Sequence, residues 1–136
     1  MKPYKFIKTC SFYIWEESFA IVKARKTCSD AFATIVDKNE ITLVIEQRKV
    51  NQKEVIEIEK NWKILTFDVV LPFDLVGFLA TISKALAKER IPIYSISAYS
   101  TDHILIKKIN IVKAKETLKK LGCKLVKDKV SATHSK

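Results

Sequence analysis

Two short polar segments, residues 71–77 and 97–102, interrupt apolar stretches in the second half of this 136-residue chain. Asp74–Gly77 has the residue types that open a helix, where free backbone amides and the positive end of the helix dipole attract a carboxylate. The carboxylate of Asp102 and the hydroxyls beside it offer acceptors for an ammonium group. A site that pairs amide donors with a carboxylate suits a free amino acid, which carries both charges.

Each of these residues also has a purely structural interpretation. Asp74 can serve only as the N-cap of the helix, because its carboxylate can accept from the free amides of the first turn. Gly77 can be a packing gap, or a place where a ligand approaches the backbone closely. The second segment can be only a hairpin turn. Its polar candidates for binding are Ser97, Ser100, Thr101 and Asp102.

The elements around the two segments predict where they lie. Trp62–Leu71 has few polar positions, which predicts a strand covered on both faces, and Pro72 ends it. Apolar residues then recur at helical spacing as far as Leu86. The pattern predicts further strands at 91–98 and 103–108, a helix from Ile111 that ends before Gly122, and a last strand at 123–130. A βαββαβ order of this kind brings both polar segments to the same end of one sheet.

The first half of the chain has fewer signals. Strands are predicted at 5–15, 18–24 and 41–46, whereas 31–36 fits a strand or one helical turn. The charged stretch 47–60 is the best candidate for a boundary between two halves, and its apolar residues Val55, Ile56 and Ile58 suggest a short strand or packed linker. An acid followed by an apolar strand recurs at Glu40–Ile45 and Asp102–Lys107, as a faint internal repeat. The predicted organisation is a reduced unit with a linker at 1–60, a complete unit at 61–130 and a flexible tail at 131–136.

The cysteines and glycines exclude several classes of site. Cys10, Cys28 and Cys123 are widely spaced and form no C-x-x-C pair, which argues against a disulfide framework and against zinc. We therefore expect reduced, buried cysteines in a cytoplasmic protein. Only two glycines are present, so a glycine-rich phosphate loop is excluded. No apolar run reaches the length of a membrane helix, and the N terminus has no signal-peptide pattern, so no membrane partner, metal or cofactor is expected.

The net charge of +10 is concentrated at the C-terminal end. Residues 107–136 contain ten lysines and only two acids, Glu116 and Asp128. Lysine is strongly hydrated and reads nucleic-acid bases less well than arginine, so a solvated helix face is the simpler interpretation. Contact with a nucleic acid through these lysines is the alternative.

The sequence resembles the ACT domain in three stretches. These are Leu71–Ala80, Ile91–Ile93 and Ser97–Ile106, which together place the resemblance over residues 62–122. More narrowly, it resembles small paired-ACT proteins related to the eukaryotic cytosolic arginine sensors. The stretch Glu40–Val44 resembles the shorter first unit of that group. Leu71 stands where the family's commoner loop has a glycine, and the first unit has no comparable loop.

The resemblance implies an α+β, ferredoxin-like βαββαβ fold, with a reduced ACT-like unit that shares or extends its antiparallel sheet. It implies regulation by an amino acid bound between ACT units, with a separate protein as the regulated target. Open edge strands and an exposed helix layer favour a homodimer. Residue by residue, the ligand-facing loop corresponds to Phe73, Asp74, Leu75, Val76 and Gly77, and the strand-end positions to Tyr99 and Asp102. A purely structural assembly module and a lysine-rich nucleic-acid-binding domain are the alternatives.

An enzyme is the least favoured class. The neighbouring Asp102 and His103 are the one pair that suggests acid–base chemistry, and adjacent residues of a strand point to opposite faces of the sheet. The sequence contains no nucleophile motif. We therefore expect a protein that binds and regulates without catalysing a reaction.

Overall fold

The computed structural model describes residues 10–68 and 77–130, and the side chains of 127–130 are left out of the description. Among these residues it contains eight strands and two α-helices, which confirms the predicted α+β class. The strands are β1 (Ser11–Trp15), β2 (Phe19–Ala24), β3 (Ala33–Val36), β4 (Ile41–Glu46), β5 (Val55–Phe67), β6 (Tyr94–Ser97), β7 (Asp102–Lys107) and β8 (Lys124–Val130). The helices are α1 (Phe78–Lys88) and α2 (Ile111–Leu121).

The chain divides into two compact units that differ from the predicted division at the N terminus. Met1–Glu16 and Lys63–Lys136 form one unit, here called the discontinuous unit. Glu17–Trp62 forms the other, here called the inserted unit. The sequence pattern assigned the first strand to the first half, whereas β1 pairs with the end of β5 and with β8. These pairings join residues far apart in sequence, which no local pattern could indicate.

The sheet of the discontinuous unit has the strand order β6-β7-β5-β1-β8, in which β5 contributes its last residues. β1 runs antiparallel to β5, with Phe12 opposite Phe67, and parallel to β8, with Ser11 opposite Lys124. From β5 onward the chain follows the predicted βαββαβ order, and β1 lies between the first and last strands of that pattern. A buried apolar cluster joins this sheet to both helices. Its members include Phe12, Phe67, Phe78, Ile82, Leu86, Ile104, Ile106 and Leu118.

A disulfide joins Cys10 to Cys123, and the expectation that these cysteines are reduced was wrong. The two Cα atoms are 5.0 Å apart, and the side chains are almost fully buried. The pair forms because Cys10 and Cys123 immediately precede β1 and β8, which lie side by side. The backbone N–H of Lys124 also donates to the carbonyl of Cys10 at 3.1 Å. Cys28 is a free, half-buried thiol in the inserted unit.

Helix α1 begins later than the sequence predicted. Its N-cap is Gly77, with φ of 92°, and not Asp74, which lies outside the described residues. A left-handed backbone costs a residue with a Cβ roughly 1–2 kcal/mol, so glycine is the natural residue at this entry to the helix. The predicted end of α2 is correct, because Gly122 follows it in the left-handed conformation with φ of 116°.

The inserted unit has the strand order β3-β4-β2-β5, to which β5 contributes its first residues. The ambiguous stretch 31–36 contains strand β3, and the charged stretch that was predicted as a boundary contains the start of β5. Asn61 forms a bulge in β5 with φ of 67°. Its N–H donates to the side-chain oxygen of Gln47 at 2.7 Å, which satisfies a group that the bulge removes from the sheet.

No helix among the described residues is long and apolar enough to cross a membrane.

Replacing both bridged cysteines by alanine should lower the free energy of unfolding by about 2–5 kcal/mol, because the bond closes a long loop in the unfolded chain. Urea denaturation of the double variant measures this change, and Cys28→Ala is the matched control. A reductant should destabilise the wild type and leave the double variant unchanged. Equal stability of the wild type with and without reductant, together with three titratable thiols, would contradict the disulfide.

Candidate functional site

The N-cap of α1 is Gly77, and its carbonyl accepts two hydrogen bonds from Thr81. The carbonyl of Gly77 accepts the N–H of Thr81 at 2.9 Å and its hydroxyl at 2.8 Å. The first amides of a helix have no intrahelical acceptor, so a glycine at this position leaves them accessible without a side chain in front. Of the first predicted segment, Gly77 is described, and Phe73, Asp74, Leu75 and Val76 lie outside the described residues.

The second predicted segment is the hairpin between β6 and β7. The Ser97 hydroxyl donates to the Asp102 carboxylate at 2.7 Å, and the N–H of Ala98 donates to the carbonyl of Thr101 at 2.8 Å. Tyr99 is 82% exposed at the tip. The structural interpretation of these residues as a hairpin turn is therefore correct, and the turn presents a carboxylate that already holds one hydroxyl. Ser100 lies half-buried in the same turn.

The end of β5 contacts the residues that follow each of the two segments. The ring of Phe67 packs edge-on against Phe78, the first residue of α1, with 5.4 Å between the ring centroids. The hydroxyl of Thr66 lies 2.7 Å from Nδ1 of His103, the second residue of β7. The start of the helix thus contacts Phe67, and the start of the strand after the hairpin contacts the neighbouring Thr66. Their role in binding a ligand stays a prediction.

Beneath the hairpin, a chain of hydrogen bonds crosses three strands. The indole N–H of Trp15 donates to the Thr66 hydroxyl at 2.7 Å, and that hydroxyl contacts His103 Nδ1. Because indole can only donate, Thr66 keeps its own proton for the imidazole. His103 Nε2 lies 3.5 Å from the Thr101 hydroxyl, which links the chain to the hairpin. A neutral imidazole with its proton on Nε2 satisfies every bond of this network.

The surroundings of His103 favour that neutral form. Burial lowers its pKa below the ordinary value of 6.5, and the charge of Asp102 opposes part of this shift. Asp102 accepts from Ser97 whereas the imidazole bonds Thr66, so the two neighbours do not form an acid–base pair. Within the described part of the chain, no three His, Cys, Asp or Glu side chains are arranged to hold a metal.

Sequence reasoning missed two members of this network, Thr66 and Trp15. Thr66 is 2% exposed and carries the one hydroxyl in the otherwise apolar run Ile64–Phe67. A single hydroxyl in an apolar strand was the sequence signal that could have indicated a buried hydrogen bond. A buried hydroxyl needs a partner, because an unsatisfied one costs roughly 1–3 kcal/mol. Trp15 gave no signal, since its contact depends on the pairing of β1 with β5.

Comparison with known families finds the ACT domain. Its family model matches residues 57–120, a little under half of the chain, and the resemblance seen in the sequence is confirmed for this segment. The matched segment contains the start of α1, the hairpin, Thr66 and His103, whereas Trp15 lies outside it. No curated protein matches the sequence significantly.

Solved structures share the fold at low sequence identity. A protein from Agrobacterium tumefaciens is 18% identical with a TM-score of 0.78, and the match covers 92% of this chain and 98% of that one. A Vibrio cholerae protein of unknown function, titled a possible transport protein, is 22% identical with a TM-score of 0.72 over 88% and 94%. The regulatory subunit of aspartate kinase from Thermus thermophilus is 8% identical with a TM-score of 0.60 over 81% and 95%.

These likenesses confirm the predicted ferredoxin-like, repeated-unit fold for nearly the whole chain. The TM-scores remain well above 0.5 although the identities lie below 25%, so they establish architecture alone.

The neutral state of His103 predicts a pH-dependent stability. The unfolded chain takes up a proton near pH 6.5 that the folded protein resists, because burial lowers the pKa of His103. The stability that neutral His103 contributes is therefore fully present above pH 6.5 and is lost as the pH falls through the folded-state pKa. Denaturation midpoints between about pH 7.5 and about pH 5 measure this loss. His103→Asn keeps a group that can bond Thr66 but cannot titrate, so its curve should be flatter. Parallel curves for the two proteins would contradict the assignment.

Proposed function

We propose that this protein is a regulatory module of the ACT family that binds a free amino acid at the end of β5. The observation that supports the proposal is that neighbouring residues at the end of β5 contact the residues beside both segments: Phe67 packs on Phe78, next to Gly77, and Thr66 bonds His103, next to Asp102. These residues lie within the segment that matches the ACT domain. The titled function of the Thermus thermophilus neighbour, a regulatory subunit, points the same way.

The chemistry of the two sides complements an amino acid. The first amides of α1 and the helix dipole attract the α-carboxylate, and Gly77 leaves the approach open. The carboxylate of Asp102 attracts the α-ammonium group, and the Ser97 hydroxyl orients that carboxylate. The loop residues Phe73, Asp74, Leu75 and Val76 complete the site, with Tyr99, Ser100 and Thr101 at the hairpin.

The module acts without catalysis, on a separate partner protein. Ligand binding favours one state of the protein surface around the site, and a partner that recognises that state is thereby recruited or released. The protein assembles as a homodimer, and β6, which pairs with β7 alone among the described strands, offers an edge for that contact. The resemblance to arginine sensors makes arginine the first amino acid to test.

A cytoplasmic location also remains part of the proposal. Disulfides are uncommon in reducing compartments, and deep burial of Cys10 and Cys123 slows the attack of thiol reductants on this one while the protein is folded. Alkylation of free thiols at the moment of cell lysis distinguishes a bridged pair from a reduced one.

Calorimetry and thermal shifts against the twenty amino acids test the proposal. One amino acid should stabilise the fold, by about 2.7 kcal/mol at 100 times its dissociation constant. Asp102→Asn removes the charge, keeps an acceptor for Ser97 and should weaken binding at least tenfold. Glu116→Gln, an exposed change on α2, is the matched control and should bind like the wild type. If none of the twenty binds and the dimer persists, the structural assembly module becomes the better interpretation.

The two left-handed glycines provide a second test. Gly77→Ala and Gly122→Ala each place a Cβ on a residue with positive φ, and each should cost about 1–2 kcal/mol of stability. Of the two variants, only Gly77→Ala should weaken binding of the amino acid, because the added Cβ lies at the helix start that the carboxylate approaches. Denaturation and calorimetry on the same preparations separate the two effects. Equal affinity of both variants for the ligand would place the site elsewhere.

A further inference from the structure

A groove of about 660 Å³ runs between the two helices of the discontinuous unit. Its described lining contains no residue of the proposed amino-acid site. Among the described residues, its lining consists of Thr81, Lys84, Ala85, Lys88 and Glu89 from α1 and its end, and Thr117, Lys120 and Leu121 from α2.

The rim of the groove is basic. Lys84 and Lys88 lie one turn apart on α1, and Lys120 lies across from them on α2. Glu89 is the one acid in the lining. None of the three ammonium groups forms a salt bridge with another described residue, whereas Lys23, Lys26 and Lys49 of the inserted unit each pair with a glutamate.

The charge of the rest of the chain increases this contrast. The inserted unit, Glu17–Trp62, contains eight basic and eight acidic residues, so the net charge of +10 lies entirely in the discontinuous unit. Nothing in the inserted unit's composition offsets the lysines of the groove. A uniform coat of solubilising charge would not leave one unit neutral and the other strongly positive.

The floor of the groove is partly apolar. Ala85 and Leu121 are half-buried there. The hydroxyls of Thr81 and Thr117 donate to the carbonyls of Gly77 and Lys113, each at 2.8 Å, so they present oxygen lone pairs and not protons to the groove. Among the described residues of the lining, the lysines at the rim are therefore the only cationic donors.

We propose that this groove binds an acidic, amphipathic segment of a partner protein. Side-chain carboxylates of the segment pair with Lys84, Lys88 and Lys120, and an apolar side chain between them covers Ala85 and Leu121. Several pairs around one apolar contact bind more specifically than isolated surface ion pairs, which contribute little each. The proposal does not depend on amino-acid binding.

The lining argues against two other occupants, a nucleic acid and a second copy of this chain. Nucleic-acid sites of similar charge use arginine and aromatic side chains that stack on bases, and the described lining has neither. A second copy of the chain in the same orientation would place lysines against lysines, which is unfavourable. An acidic peptide is the occupant that matches both the charge of the rim and the apolar floor.

Fluorescence anisotropy with a labelled peptide of alternating glutamate and leucine tests the proposal. The triple variant K84E/K88E/K120E should bind this peptide at least tenfold more weakly than the wild type. The matched control K38E/K53E/K108E changes three exposed lysines outside the groove by the same charge and should bind within threefold of the wild type. Circular dichroism confirms that each variant is folded.

Two further probes complete the experiment. The same peptide with serine in place of leucine should bind more weakly to the wild type, because it cannot cover the floor. Equal losses in the two triple variants would show that the attraction is a general effect of net charge, and would overturn the proposal. Tighter binding of an oligouridine than of the peptide, lost only in the groove variant, would assign the groove to RNA and also overturn it.

Discussion

The structure of the discontinuous unit depends on the last three residues of β5, which adjacent strands hold on both sides. Leu65, Thr66 and Phe67 pair with β1 across one edge, and β5 pairs with β7 across the other, where Thr66 contacts His103. All three are almost fully buried. Since successive residues of a strand face opposite sides, Phe67 points to the helices whereas Thr66 points to the hydrogen-bond network. One strand end therefore sets the position of the helix start, the hairpin and β1 together.

Thr66 shows why this arrangement is specific. A threonine in a fully buried strand position is costly unless its hydroxyl is satisfied, and here Trp15 supplies the donor and His103 the acceptor. A shift of any of the three strands by one residue would turn one of these side chains to the other face of the sheet. The polar network thus fixes the register of strands whose apolar residues alone would tolerate several alignments.

Most elements of the fold were readable from the sequence because their signals are local. The β-branched run of β4, the apolar spacing of α2 and the glycine at its end each act within a few residues. The errors arose where long-range pairing decides: β1 joined the discontinuous unit, and Cys10 met Cys123, through strands 113 residues apart. The start of α1 was misplaced because Asp74 and Gly77 are both suitable caps, and backbone conformation, not composition, selects between them. For the candidate site, the hairpin residues were visible as polar interruptions, whereas Trp15 and Thr66 belong to strands that look purely structural.

The disulfide between Cys10 and Cys123 turns most of the polypeptide into a covalent ring. Residues 10–123 form that ring, and the whole inserted unit lies within it. A single backbone cut anywhere in the ring therefore leaves one covalently connected molecule, with both new ends still attached through the bridge. The exposed turn at Asp37–Glu40 lies inside the ring, so a protease that cuts there nicks the chain without releasing a fragment.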